Sequence, residues 1–167
     1  MDDAKKSRIS DRDYNSIVIL QMTDIISENS EDLKAYVMRG NHYLDSGKLI
    51  EAISDLTKAI QLDPSDPMVF NNRGVAYRRS VDKDKALEDF NQAITIKPDY
   101  REAYNNRGMV LADNYEYEAA IVQFTKAIEI DPNYWYAYNN RAMSRWALGD
   151  RKGAESDYKV VSSHMSG

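Results

Sequence analysis

Three of the four prolines in this 167-residue chain, Pro64, Pro98 and Pro132, fall 34 residues apart. Each closes an apolar helix end: Ile60-Gln61-Leu62-Asp63-Pro64, Ile94-Thr95-Ile96-Lys97-Pro98 and Ile128-Glu129-Ile130-Asp131-Pro132. A fixed period of this length constrains the fold more than any other feature of the sequence. It marks a chain built from one supersecondary unit that cannot bury its apolar face alone and must stack on its neighbours. Six further positions keep the period. They are Tyr36/Phe70/Tyr104/Tyr138, Arg39/Arg73/Arg107/Arg141, Gly40/Gly74/Gly108/Ala142, Ala52/Ala86/Ala120/Ala154, Leu56/Phe90/Phe124/Tyr158 and Ala59/Ala93/Ala127/Val161.

The physical role of each class is readable. Every unit carries two helices joined by a short turn, at Ser46-Gly47, Val81-Asp82, Asn114-Tyr115 and Gly149-Asp150. The Gly and Ala classes let paired helices approach closely, and the aromatics fill the space between units. Proline ends each unit because it cannot continue a helix. Asp55, Asp89 and Asp157 follow Arg39, Arg73 and Arg141 by sixteen residues, a spacing that sets them opposite one another in a helical hairpin, while Gln123 holds the place opposite Arg107. The expectation is an Arg–Asp pair within each unit, since a partly buried charge needs a partner.

This pattern resembles the tetratricopeptide repeat (TPR), with four repeats from Leu33 to the C-terminus. The departures are the Arg class where the family has Leu, Leu111 and Arg145 in place of Tyr, and Ala142 in place of Gly. The resemblance implies an all-α fold: a right-handed superhelical solenoid of stacked antiparallel helix pairs, about nine helices in all. The expected organisation is a flexible N-terminus over 1–10, a lone N-terminal capping helix over 11–30, repeats over 33–66, 67–100, 101–134 and 135–167, and no separate C-terminal capping helix. The lone helix is read from Ile19–Ile26 lying three periods before Ile121–Ile128, with Ser10 or Asp11 as its cap. It carries Val18 and Ile25 where repeats carry Ala. Val160, Val161 and Met165 are expected to face solvent or a partner at the last helix, and Trp135 to pack on the preceding repeat.

Composition narrows the function. The net charge of −5 argues against nucleic acid or an anionic membrane as a general partner. Cysteine is absent and histidine is limited to His42 and His164, which leaves no thiolate site, disulfide or His-rich metal centre to expect. No phosphate loop, zinc spacing or serine elbow is present. A non-enzymatic, cofactor-free, cytoplasmic protein is the expectation.

In the resembled family the inner surface is lined by first helices. That assignment, carried over position by position, implies a peptide-binding set of Asn41, Asn71, Asn72, Asn105, Asn106, Asn139, Asn140, Arg78, Arg79, Met109, Met143 and Trp146. A side-chain amide offers both donor and acceptor to a peptide unit whatever its sequence, and Met and Trp give adaptable apolar contacts. Asn72, Asn106 and Asn140 resemble the asparagine ladder of peptide-binding members. The carboxylate clamp of chaperone-tail-binding members does not match, because Val37 and Glu102 stand where it needs cations. The expected function is a protein–protein interaction scaffold that holds an extended segment of a peptide or protein partner in its concave groove. The alternative is a structural, self-associating protein that forms a homo-oligomer through its terminal helices.

Overall fold

A computed structural model of the chain describes residues 10–165. The flexible N-terminus expected over 1–10 lies outside the described residues save for Ser10, as does the side chain of Met165. Among the described residues there are nine α-helices and no strand. Two compact units make up the chain, one ending at Pro64 and the other beginning at Ser65.

The first unit holds α1 (Asp11–Glu28), α2 (Leu33–Asp45) and α3 (Leu49–Leu62). The Ser10 hydroxyl caps α1 by accepting from the Asp13 amide at 3.2 Å, and Asp32 caps α2 by accepting from Ala35 N–H at 2.8 Å. Both satisfy amides that a helix start leaves unpaired. Val18 and Met22 of α1 are buried against Ala35 of α2, so the bulk that replaces Ala at position 18 goes into this contact. Ile25 remains partly exposed.

The second unit holds three helix pairs: α4 (Pro67–Arg79) with α5 (Lys83–Ile96), α6 (Arg101–Asp113) with α7 (Tyr117–Ile130), and α8 (Trp135–Ala147) with α9 (Arg151–Met165). Asp66 caps α4 ahead of Pro67, whose ring suits the first helical position. In the first two of these pairs the Gly of the first helix meets the aromatic of the second. A Cβ on Gly108 would stand 2.6 Å from Phe124 Cε1, and one on Gly74 would stand 2.7 Å from Phe90 Cε1. Neither ring has room to yield, since Phe90 and Phe124 are fully buried. Where Ala142 replaces Gly, the matching aromatic is Tyr158, and it is partly exposed.

All four hairpins turn through one left-handed residue at the same repeat position: Gly47 (φ 74°), Val81 (φ 68°), Tyr115 (φ 65°) and Gly149 (φ 82°). Each is followed by an amide that reaches back five residues, as in Asp82 N–H to Tyr77 O at 2.9 Å, which satisfies a carbonyl at the helix end. The turn geometry is therefore uniform although only two of the four sequences carry Gly. Val81 and Tyr115 hold a conformation that L side chains adopt at a cost.

The arginine class forms the expected pairs. Arg39 meets Asp55 (2.7 and 2.8 Å), Arg73 meets Asp89 (2.9 and 2.7 Å) and Arg141 meets Asp157 (2.9 and 2.7 Å), each in bidentate fashion. The three aspartates are buried. Hydrogen bonds donated to the Asp55 carboxylate raise the Arg39 pKa above its ordinary value. Burial alone would lower that of Arg73, but the hydrogen bonds and charge of Asp89 outweigh it and raise it.

One expectation at the C-terminal helix is corrected. Val161 is buried rather than facing outward, and only its neighbour Val160 is exposed. Successive residues on a helix point about 100° apart, so one of the two must turn inward. Val161 holds the repeat position of Ala59, Ala93 and Ala127, all of them buried. Trp135 of α8 stacks on Tyr136 of its own helix (3.7 Å between ring centroids), lies 5.8 Å from the His164 ring of α9, and lines a pocket together with Pro132 and Asn133 of the preceding repeat.

Candidate functional site

The first helices of the second unit, α4, α6 and α8, each carry two adjacent asparagines one turn into the helix: Asn71-Asn72, Asn105-Asn106 and Asn139-Asn140. The structure joins them across repeats. Asn106 Nδ2 donates to Asn71 Oδ1 at 2.9 Å, and Asn140 Nδ2 donates to Asn105 Oδ1, also at 2.9 Å. Asn71 Nδ2 donates in turn to Asn72 Oδ1 at 3.2 Å. Asn71 and Asn105 are buried, so the first asparagine of these pairs braces neighbouring repeats rather than facing outward. This fits the rule that a buried polar group is held by internal partners. The second asparagine is half-buried. Asn106 and Asn140 each keep an Oδ1 and one N–H beyond the brace, enough for one peptide unit.

Beside this ladder lies a cavity of about 320 Å³. Arg78, Met109, Ala112, Asp113, Asn140, Met143 and Ala147 line it from the first helices, and Tyr117 and Phe124 reach it from α7. Met143 is largely exposed at its rim. Tyr117 and Phe124 were not anticipated from the sequence, because the family assignment of the groove to first helices hides what the second helix supplies beneath them. Ser144, also on the lining, hydrogen-bonds within α8 to Asn140 O at 3.1 Å and fixes that turn.

Arg78, expected in the peptide-binding set, is not free charge. Arg78 Nε donates to Asp113 Oδ2 at 2.8 Å, tying the end of α4 to the end of α6. Lys83 Nζ reaches the Asp113 carbonyl at 2.7 Å and Asn114 Oδ1 at 2.8 Å, so a cation sits on the α6 carbonyl end, where the helix dipole favours it. Arg79 is exposed at the end of α4. Trp146 is half exposed on α8 with the Arg151 guanidinium 3.6 Å from its ring centroid, a cation–π contact outside the cavity lining. Asn139 is half-buried and its Nδ2 lies 3.8 Å from Met143 Sδ. Asn41 lies on α2 of the first unit, half-buried. Glu102, which speaks against a carboxylate clamp, is paired with Arg101 at 2.8 Å.

Paired helices, a recurrent left-handed turn and a glycine–aromatic contact in each pair of α4–α7 define an α-helical repeat protein. Models of the family agree on which: TPR repeat matches residues 40–80, and Tetratricopeptide repeat matches residues 67–100 and 102–134. The chain belongs to the tetratricopeptide repeat family. Among solved structures, MamA aligns over 95% of this chain and 96% of its own at 22% identity, with a TM-score of 0.81. The first TPR of Spaghetti (RPAP3), bound to HSP90 peptide SRMEEVD, aligns over 72% of this chain and 96% of its own at 30% identity, with a TM-score of 0.67. YrrB, a TPR protein with an unusual peptide-binding site, aligns over 89% of this chain and 76% of its own at 21% identity, with a TM-score of 0.70. Among curated proteins, none matches by sequence. No described helix is long and apolar enough to cross a membrane.

Proposed function

We propose that this chain is a protein–protein interaction scaffold whose second unit holds an extended peptide segment along α4, α6 and α8. The observation that carries the reading is the braced asparagine ladder. Asn106 and Asn140 are each held by a hydrogen bond from behind, so their remaining donor and acceptor are pre-oriented before any peptide arrives, which lowers the entropic cost of binding. The cavity lined by Met109, Met143 and Tyr117 takes one apolar side chain of that segment. The solved structures named for an HSP90 peptide and for a peptide-binding site support the same use of the fold. The pairing of Arg78 with Asp113 and of Glu102 with Arg101 leaves this groove without a free cation cluster, so an apolar-anchored segment fits better than an acidic tail.

The test is selection of binders from a random peptide library on the full chain, followed by affinity measurement on two variants. Asn106→Ala with Asn140→Ala removes two peptide contacts, each worth about 1–2 kcal/mol, and should weaken a selected peptide by about 30-fold or more. Because the ladder also braces repeats, a second variant is needed. Met143→Lys alters an exposed rim residue, should leave the melting temperature near the parent's, and should still weaken binding. Selected peptides that bind both variants as tightly as the parent refute the groove.

Self-association remains the second reading, favoured by the exposed Tyr14, Ile17 and Leu20 on α1. A monomer mass independent of concentration in sedimentation would remove it.

A further inference from the structure

Arg107 is the odd member of its class. Its three counterparts clasp a buried aspartate, but Arg107 faces an amide. Its Nε donates to Gln123 Oε1 at 3.1 Å, its Nη2 donates to the same oxygen, and its Nη1 donates to Asn91 Oδ1 at 2.8 Å. One amide oxygen therefore receives both bonds that two carboxylate oxygens share elsewhere. Of five guanidinium N–H groups, two remain. Gln123 carries an Nε2 donor in place of the second acceptor oxygen of Asp89, and that donor meets no acceptor among the described residues. Burial lowers the Arg107 pKa, and no carboxylate acts to raise it, unlike Arg39 and Arg73.

These donors open onto a groove of about 400 Å³ between α6 and α7, lined by Tyr104, Arg107, Ile121, Val122, Gln123 and Thr125, with Lys126 and Glu129 at its edge. It shares no lining residue with the cavity beside the asparagine ladder. Glu129 is the one carboxylate on its lining, and it is engaged by Lys126 at 3.1 Å. Val122 is largely exposed, and Tyr104 lies 5.4 Å beneath the guanidinium. The site thus combines a half-buried cation lacking an anion, a second donor lacking an acceptor, and an apolar wall.

We propose that this α6–α7 groove is a second docking site, which takes the side-chain carboxylate of an acidic residue flanked by an apolar residue in a partner protein. The carboxylate accepts from the two remaining Arg107 N–H groups and from Gln123 Nε2, completing the ion pair that the other repeats complete internally. The apolar neighbour covers Val122 and Ile121. A charge-assisted pair in a partly desolvated groove is stronger than one at an open surface, which gives the site selectivity for the carboxylate over an amide.

The experiment uses the full chain labelled with ¹⁵N and two probe peptides, acetyl-Leu-Glu-Leu-amide and acetyl-Leu-Gln-Leu-amide. The Glu peptide should shift the Arg107 Nε–H and Gln123 side-chain resonances saturably, and the Gln peptide should bind at least tenfold more weakly. Gln123→Asp places the missing carboxylate inside the protein; it should melt no lower than the parent and lose the response to the Glu peptide. Arg107→Gln should lose it as well, whatever its own stability. Equal affinity for both peptides, shifts that do not saturate, or an undiminished response in either variant would overturn the proposal.

Discussion

Removing the Asp89 carboxylate is the sharpest probe of what holds a repeat together. Asp89 is 4% exposed and accepts two hydrogen bonds from Arg73, at 2.9 and 2.7 Å. Asp89→Ala deletes both acceptors and leaves the guanidinium in a site built for an anion. Breaking a buried pair on one side costs about 3–5 kcal/mol. The Arg73 side chain keeps 17% of its surface, so water recovers part of that loss, and the Phe70 and Tyr77 rings, 5.8 and 5.7 Å away, continue to face the cation. The expected cost is therefore about 2–3 kcal/mol. Asp89→Asn should cost less, because repeat three already tolerates an amide opposite its arginine. Changing both residues to apolar ones of similar volume, Arg73→Met with Asp89→Leu, should cost less than Asp89→Ala alone. Urea unfolding measures the totals, with the slope checked for constancy, since a repeat array can unfold in parts. Hydrogen exchange of the α4 and α5 amides then localises the effect. A loss below about 0.5 kcal/mol, or additive single and double changes, would show that the two side chains do not hold one another.

Two further outcomes follow from local geometry. Val81 is 75% exposed with φ 68°, so Val81→Gly removes left-handed strain without losing packing; net of the added unfolded-chain entropy it should stabilise the protein by about 1 kcal/mol in urea unfolding, and unchanged stability would show the turn unstrained. Burial, with the Glu102 charge adding to it, pushes the phenols of Tyr100 and Tyr134 up to about 12, above the ordinary value near 10. The folded state thus favours the neutral phenols, and the stability they contribute is fully present below about pH 10 and lost as the pH rises through 12. Phenolate absorbance should show two late-titrating tyrosines, and each Tyr→Phe change at these positions should remove one.

The helix pairs follow from the repeat pattern alone, because a 34-residue period of Gly, Ala, aromatic and Pro leaves one way to bury the apolar positions. The pattern also determined the Arg–Asp pairs, since sixteen residues of a hairpin place the two side chains face to face whatever surrounds them. The asparagine stripe was legible as a set of residues but not as a working arrangement. Adjacent asparagines on a helix point about 100° apart, and only the packing of α4, α6 and α8 decides that one turns inward as a brace while the next is left half outward. The same holds for Arg78, whose partner Asp113 lies a full repeat away, and for Tyr117 and Phe124 beneath the groove. Val81 shows the reverse order of control: nothing in Val-Asp asks for a left-handed turn, yet the close packing of α4 on α5 imposes the geometry that Gly47 and Gly149 adopt freely. Period and pattern are properties of one repeat, whereas the partners of its polar side chains depend on what the neighbouring repeat presents, and that is set only when helices pack.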